Sequence, residues 1–159
     1  MLKKKTAVLT GSSRGIGKEI LSIFAENSAN IIACSRTKDD KYIKFIEDLK
    51  KKNNVEIEPY FFDLADTNLV KEKALEIIKK HKKIDILINN AGAIHTALFQ
   101  MTTLKKFKEI FETNFFSTVQ FTQIILKSMM PNKNGSIINI SSTSAFDNED
   151  GRSAYSSSK

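Results

Sequence analysis

Five short apolar runs, separated by stretches with helical spacing, limit this chain's possible folds more than any other feature. The runs are Thr6–Thr10 (TAVLT), Ile31–Cys34 (IIAC), Val55–Phe62, Ile84–Asn89 (IDILIN) and Gly135–Ile140 (GSIINI). Each has the length of a strand, and most are continuously apolar, which predicts strands covered on both faces. Between them, Ile16, Ile20, Ile23 and Phe24 follow the helical period, as do Tyr42, Phe45, Ile46 and Leu49. Asp66 or Thr67 can cap a third helix carrying Leu69, Ala74, Ile77 and Ile78. Thr102 or Thr103 opens one long helix with Leu104, Phe107, Phe111, Phe115 and Phe121 on related faces, and Pro131 closes it. Pro59 leaves the pairing of the third strand open. Five alternations with short links predict an α/β fold, a doubly wound parallel sheet (Rossmann-like) with strand order 3-2-1-4-5. In such a sheet the ligand crevice lies at the carboxyl ends of the first and fourth strands.

Composition narrows the class. At 159 residues the chain suits one domain, and 41% hydrophobic with 27% charged residues is ordinary for a globular protein. The formal charge of +7 raises nucleic-acid binding, but the lysines are scattered, as in Lys79-Lys80 and Lys82-Lys83, and do not interleave with aromatics. No nucleic-acid partner is expected. No apolar run approaches the ~20 residues of a membrane span, so no membrane is expected either. The opening MLKKKTAVLT is basic, then apolar for only a strand's length before a glycine, unlike a signal peptide. A lone Cys34 excludes a disulfide framework and a thiolate metal site, and favours the cytoplasm.

The turn after the first strand reads TGSSRGIG, Thr10 to Gly17. Glycines there let backbone approach phosphate, and the following helix presents free N–H groups and partial positive charge. The spacing is G-x-x-x-G-x-G. It is not a Walker A loop, because Gly11 to Gly17 is too wide and Lys18 precedes Glu19. Sites that read a free ribose hydroxyl place a carboxylate near the end of the second strand. Here that end is Cys34-Ser35-Arg36, with a guanidinium instead, and Arg14 is expected on the other wall of the same pocket. Two arginines match the oxygens of a 2′-phosphate, so NADP(H) is expected over NAD.

TGSSRGIG, Asn89-Asn90-Ala91-Gly92, Asn114, Ser142 and Tyr155-x-x-x-Lys159, in that order, resemble the short-chain dehydrogenase/reductase family over the whole chain. The resemblance implies cofactor contacts at Gly11, Ser13, Arg14, Gly15, Ile16 and Gly17, and at Ser35 and Arg36. Asp63 and Leu64 resemble the pair that holds the adenine; Asn90, Ala91 and Gly92 resemble the segment that lines the adenosine pocket. Ser142, Tyr155 and Lys159 resemble the catalytic triad, and Asn114 the fourth member that holds a relay water. Ser141 is adjacent, but the family's serine-to-tyrosine separation selects Ser142. The implied reaction is hydride transfer between NADP(H) and a carbonyl or secondary alcohol, with 3-oxoacyl-carrier-protein reduction as the first substrate expectation and a sugar or other ketone next.

The chemistry suits those residue types. Carbonyl reduction builds charge on oxygen, to which Tyr155 can give a proton and Ser142 a hydrogen bond. A Lys159 ammonium four residues on lies on the same helix face as the phenol and favours phenolate. His95 and His81 read as solvated residues, and the Phe face of the long helix as core or subunit interface. The chain ends at Lys159, where the family continues with the rest of this helix and two more strands. Residues 1–159 are therefore expected to be a dinucleotide-binding domain incomplete at the C-terminus. Expected consequences are an unprotected fifth strand, a fraying last turn, and a terminal carboxylate that satisfies the Lys159 ammonium. Weak cofactor binding and slow or absent turnover follow, with a catalytically inert cofactor-binding or partner-binding fragment as the alternative and homo-oligomers reserved for a full-length form.

Overall fold

β1 (Thr6–Thr10) runs through the middle of a five-stranded parallel sheet ordered β3-β2-β1-β4-β5, in a computed structural model that describes residues 1–147 and 149–159. β2 (Asn30–Ser35) lies on one side of it, with Val8 opposite Ile32, and β4 (Ile86–Asn89) on the other, with Val8 opposite Leu87. β3 (Ile57–Phe61) and β5 (Ser136–Asn139) form the two edges. The predicted order of strands is the observed order.

Side chains alternate across this sheet, so each strand feeds two cores. Ala7, Leu9, Ile31, Ala33, Ile57 and Ile88 face α1 (Gly15–Glu26) and α2 (Asp40–Asn53). Val8, Ile32, Cys34, Tyr60 and Leu87 face α3 (Thr67–Lys80) and α5 (Ser117–Met129). Both faces are apolar, which is why the strands carry no polar alternation.

Pro59 is tolerated because β3 is an edge. The Glu56 carbonyl accepts from Ile31 N–H and Phe62 N–H donates to Ser35, so even-numbered residues turn their polar groups to β2. Pro59, opposite Ala33 but of the other parity, turns its missing N–H outward. β4 starts two residues later than predicted. Asp85 instead accepts from Thr6 N–H at 3.0 Å and Lys5 Nζ at 3.1 Å, closing the start of β1.

Two helices differ from expectation. In α1 the buried stripe is Gly17, Leu21 and Ala25, whereas Ile16 and Ile23 are 63% and 53% exposed. Small residues win because the helix lies against the glycine turn: a Cβ on Gly17 would stand 2.1 Å from the Gly11 carbonyl oxygen. The expected long helix is three pieces: α4 (Leu104–Phe111), a π-helical turn over Glu112–Phe116, and α5. The wide turn shifts the register between the halves, so Leu104 and Phe115 are exposed while Phe121 is fully buried, its ring 5.7 Å from that of Phe62. Asp66 caps α3 and Thr103 caps α4, resolving the two capping alternatives.

Candidate active site

The glycine turn is held from below by Thr10 and Ser12, which carry no cofactor role in the sequence reading, and by Asn90, which does. Thr10 Oγ1 accepts from the backbone N–H groups of Asn90 and Ala91 at 3.0 and 3.1 Å. Asn90 Nδ2 donates to the carbonyls of Thr10 and Gly11 at 3.0 and 3.1 Å. Ser12, fully buried, donates to the Cys34 carbonyl at 2.8 Å and shares a 2.6 Å hydrogen bond with the Tyr42 hydroxyl. Burial pushes the Tyr42 phenol up to about 12, although the Ser12 contact pulls the other way. Thr10 and Ser12 thus fasten the turn to β4 and β2. Their one sequence signal is a hydroxyl at the end of a buried strand and beside its glycine.

Above that base the turn is open. Gly11 and Gly15 have φ of +69° and +52°, conformations that favour glycine. A Cβ on Gly15 would meet nothing within 4 Å, so the first turn of α1 faces free space. No acidic residue occupies that turn, and Arg14, its N-cap, makes no capping hydrogen bond. Ser13 is half-buried and Ile16 exposed beside it. This cradle fits a dinucleotide pyrophosphate by space and by the partial positive charge of the helix end.

A cavity of about 710 Å³ opens at the carboxyl ends of the strands and is lined by Arg36, Asp63 and Ala93, with Thr113 and Lys105 from the α4 side. Arg36 and Asp63 are therefore brought together as expected. Arg14 is exposed at the helix cap, outside the residues that line this cavity. Ser35 is buried and its hydroxyl turns to the Thr37 carbonyl at 3.3 Å. Leu64 is 8% exposed in the core beneath α3 and α5, its carbonyl accepting from Ser117. Of the Asp63–Leu64 pair, the carboxylate alone lines the crevice.

Farther along, α6 (Ser153–Ser157) carries Tyr155, 9% exposed, and leads to Lys159. The Lys159 ammonium donates to the Ile140 carbonyl at the end of β5, and burial lowers its pKa below the usual lysine range. That partner is a backbone carbonyl and not the expected terminal carboxylate. Ser141 donates to the Lys159 carbonyl at 3.0 Å, which leaves Ser142 as the serine free for other work. Ser142 Oγ accepts from Ser144 N–H at 3.2 Å, an N-cap contact that leaves its own O–H available to donate. Among the described residues the Tyr155 hydroxyl has no hydrogen-bond partner.

Asn114 sits in the π turn, 8% exposed. Its Oδ1 accepts from Ala93 N–H at 2.7 Å, and its Nδ2 donates to the Ala93 carbonyl at 3.0 Å and to Ser158 Oγ at 2.8 Å. Both Nδ2 protons of the carboxamide are thus donated inside the chain. A Cβ on Gly92 would lie 3.4 Å from Asn114 Oδ1 and 3.7 Å from Lys159 Nζ. Gly92, Asn114 and Lys159 therefore converge on one point.

A profile of the short chain dehydrogenase family matches residues 5–159. The chain belongs to that family. Short-chain dehydrogenase relatives include dehydrogenase/reductase SDR family member 7B of Danio rerio, 36% identical over 99% of this chain and 52% of that protein. They also include the 3-oxoacyl-[acyl-carrier-protein] reductase of Thermotoga maritima, 31% identical over 99% of this chain and 63% of that protein. Among solved structures, L-sorbose reductase from Gluconobacter frateurii, complexed with NADPH and L-sorbose, superposes with a TM-score of 0.91 at 26% identity, covering 99% of this chain and 59% of that one. The 3-oxoacyl-[acyl-carrier protein] reductase of Brucella melitensis gives 0.86 at 27% identity, over 98% of this chain and 64% of that one. The chain thus spans between half and two thirds of these short-chain dehydrogenases.

Proposed function

We propose that this chain is the dinucleotide-binding and proton-managing part of an NADP(H)-dependent oxidoreductase that interconverts a carbonyl and a secondary alcohol. The observation that carries the reading is the convergence of Gly92, Asn114 and Lys159 beside the helix that bears Tyr155. Gly11, Gly15 and Gly17 with the N-terminus of α1 hold the pyrophosphate. Arg36 takes the 2′-phosphate, two of whose oxygens match the planar fork of the guanidinium, and Ala91, Gly92 and Asp63 line the adenosine side. When bound, the nicotinamide supplies or accepts the hydride.

The chain's own residues manage the rest. Ser142 donates a hydrogen bond to the substrate oxygen, and Tyr155 donates the proton that turns that oxygen into a hydroxyl. In the oxidative direction Tyr155 takes the proton back. Lys159 grips the nicotinamide ribose and re-supplies the proton. A water-borne relay toward Asn114 would meet its backbone, since the carboxamide is engaged.

For substrate we place a 3-oxoacyl thioester on a carrier protein first, supported by the Thermotoga maritima relative, and a sugar ketone second, supported by the Gluconobacter frateurii neighbour. The compartment proposed is the cytoplasm, which suits a single buried thiol. Among the described residues no helix is long and apolar enough to cross a membrane. A homo-oligomer is proposed for a longer form, using the exposed Phe115–Phe116 pair.

The test is NADPH oxidation with a 3-oxoacyl thioester, wild type against Tyr155→Phe. Turnover, slow in residues 1–159 alone, falls about a hundredfold or more in the variant while NADPH binding persists. Binding without turnover, unchanged by the substitution, supports the inert cofactor-binding or partner-binding fragment.

A further inference from the structure

Ser158 was not singled out by sequence, yet it is buried at 6% exposure and makes two short contacts. Its Oγ accepts from Asn114 Nδ2 at 2.8 Å and donates to the Tyr155 carbonyl at 2.7 Å. We infer that Ser158 is a positioning residue for the Tyr155–Lys159 pair, tying the helix that carries the pair to the π turn and, through Asn114, to the loop after β4. The inference rests on the proposed role of that pair.

The geometry has three linked parts. The π turn pushes Asn114 inward, where its carboxamide clasps both backbone groups of Ala93. One Nδ2 proton then remains, and Ser158 takes it. Ser158 has a proton of its own to pass on, and the Tyr155 carbonyl, an acceptor near the end of a five-residue helix, receives it. The position therefore requires a group that accepts and donates at once. Serine and threonine do so; alanine does neither. Lys159 follows directly, and its ammonium reaches the Ile140 carbonyl from the other side. The serine thus fixes the backbone from which the lysine departs, and links three strand-end segments: Ala93 after β4, Ile140 after β5, and the tyrosine helix.

The experiment uses residues 1–159 without dinucleotide, so its outcome is independent of whether the chain binds NADPH. Wild type, Ser158→Ala and Ser158→Thr are compared by two NMR readouts: solvent exchange of the Asn114 side-chain amide protons, and pH titration of Lys159 Cε. In wild type the Asn114 amide exchanges about tenfold slower than that of exposed Asn68, because its protons are donated inside the fold. Ser158→Ala exposes the one amide proton that Ser158 accepts, speeding its exchange, and moves the Lys159 midpoint up as the ammonium returns to water. Ser158→Thr restores both. An alanine variant with both readouts unchanged overturns the inference. If that variant does not fold, wild type decides alone: an Asn114 amide exchanging as fast as that of Asn68 also overturns it.

Discussion

Asp85 shows how much one side chain can settle outside the site. Its carboxylate, 8% exposed, accepts from Thr6 N–H and from Lys5, which is 40% exposed. Burial acts to raise its pKa, but the Thr6 and Lys5 contacts outweigh it and hold the group below the ordinary carboxylate value. Its stabilising contribution is therefore complete above the unfolded value of roughly 3.9 and is lost as pH falls through the lower folded value. Asp85→Asn is expected to flatten the fall in urea-unfolding stability between neutral and strongly acid solution, with the difference from wild type largest near neutrality. A parallel pair of pH–stability curves offset by nothing at any pH would show that the carboxylate does not matter. At this scale sequence reading reached Gly11, Gly17, Arg36, Asp63 and Lys159, because glycine spacing and charge at strand ends have few other uses. It did not reach Thr10, Ser12 or Ser158, because a hydroxyl's partners lie 80, 22 and 44 residues away. Arg14 stands exposed at the cap of α1, and Leu64 belongs to the core.

Among elements, the π turn carries most of the consequence. The sequence reading places Phe111, Phe115 and Phe121 on related faces of one continuous helix. The wide turn breaks that, buries Asn114 and leaves Phe115 outside. Nothing local signals it, since Glu112–Phe116 contains neither Pro nor Gly and the gain comes from Ala93 and Ser158, distant in sequence. Asn114→Leu is close in size but leaves the Ala93 N–H and carbonyl without partners. Each such group costs about 1–3 kcal/mol when buried, so the variant should lose several kcal/mol in urea denaturation. Phe115→Leu, on the exposed side of the same turn, should stay within about 0.5 kcal/mol of wild type. Equal losses would mean that the turn is held by something other than the Asn114 clasp. Strand order, by contrast, was fully legible, because continuous apolar runs with short links admit few windings. Strand ends were less so: Asp85 interrupts an apolar run for a reason visible only once β1 lies beside it.

For the whole molecule, the two cores seat a crevice whose base is rigid and whose rim is polar. β5 is exposed along its length, with Ile137 and Ile138 at 40% and 42%, and the Ile140 carbonyl just after it holds Lys159. Lys159 thus rests on the least covered edge, whereas the glycine turn rests between β1, β2 and β4 in the most covered part. Dinucleotide binding should therefore outlast turnover when the β5 edge is perturbed. The central claim is that Arg36, at the wall of the cavity of about 710 Å³, selects a phosphorylated dinucleotide. Equilibrium titration of NADPH and NADH, read from the fluorescence of the reduced cofactor, tests it in wild type and Arg36→Ala. The account predicts tighter binding of NADPH, by about tenfold or more for a charge-assisted contact, with the gap closing in the variant because NADPH weakens while NADH does not. Equal affinities in wild type, or a gap that survives removal of the guanidinium, would contradict it.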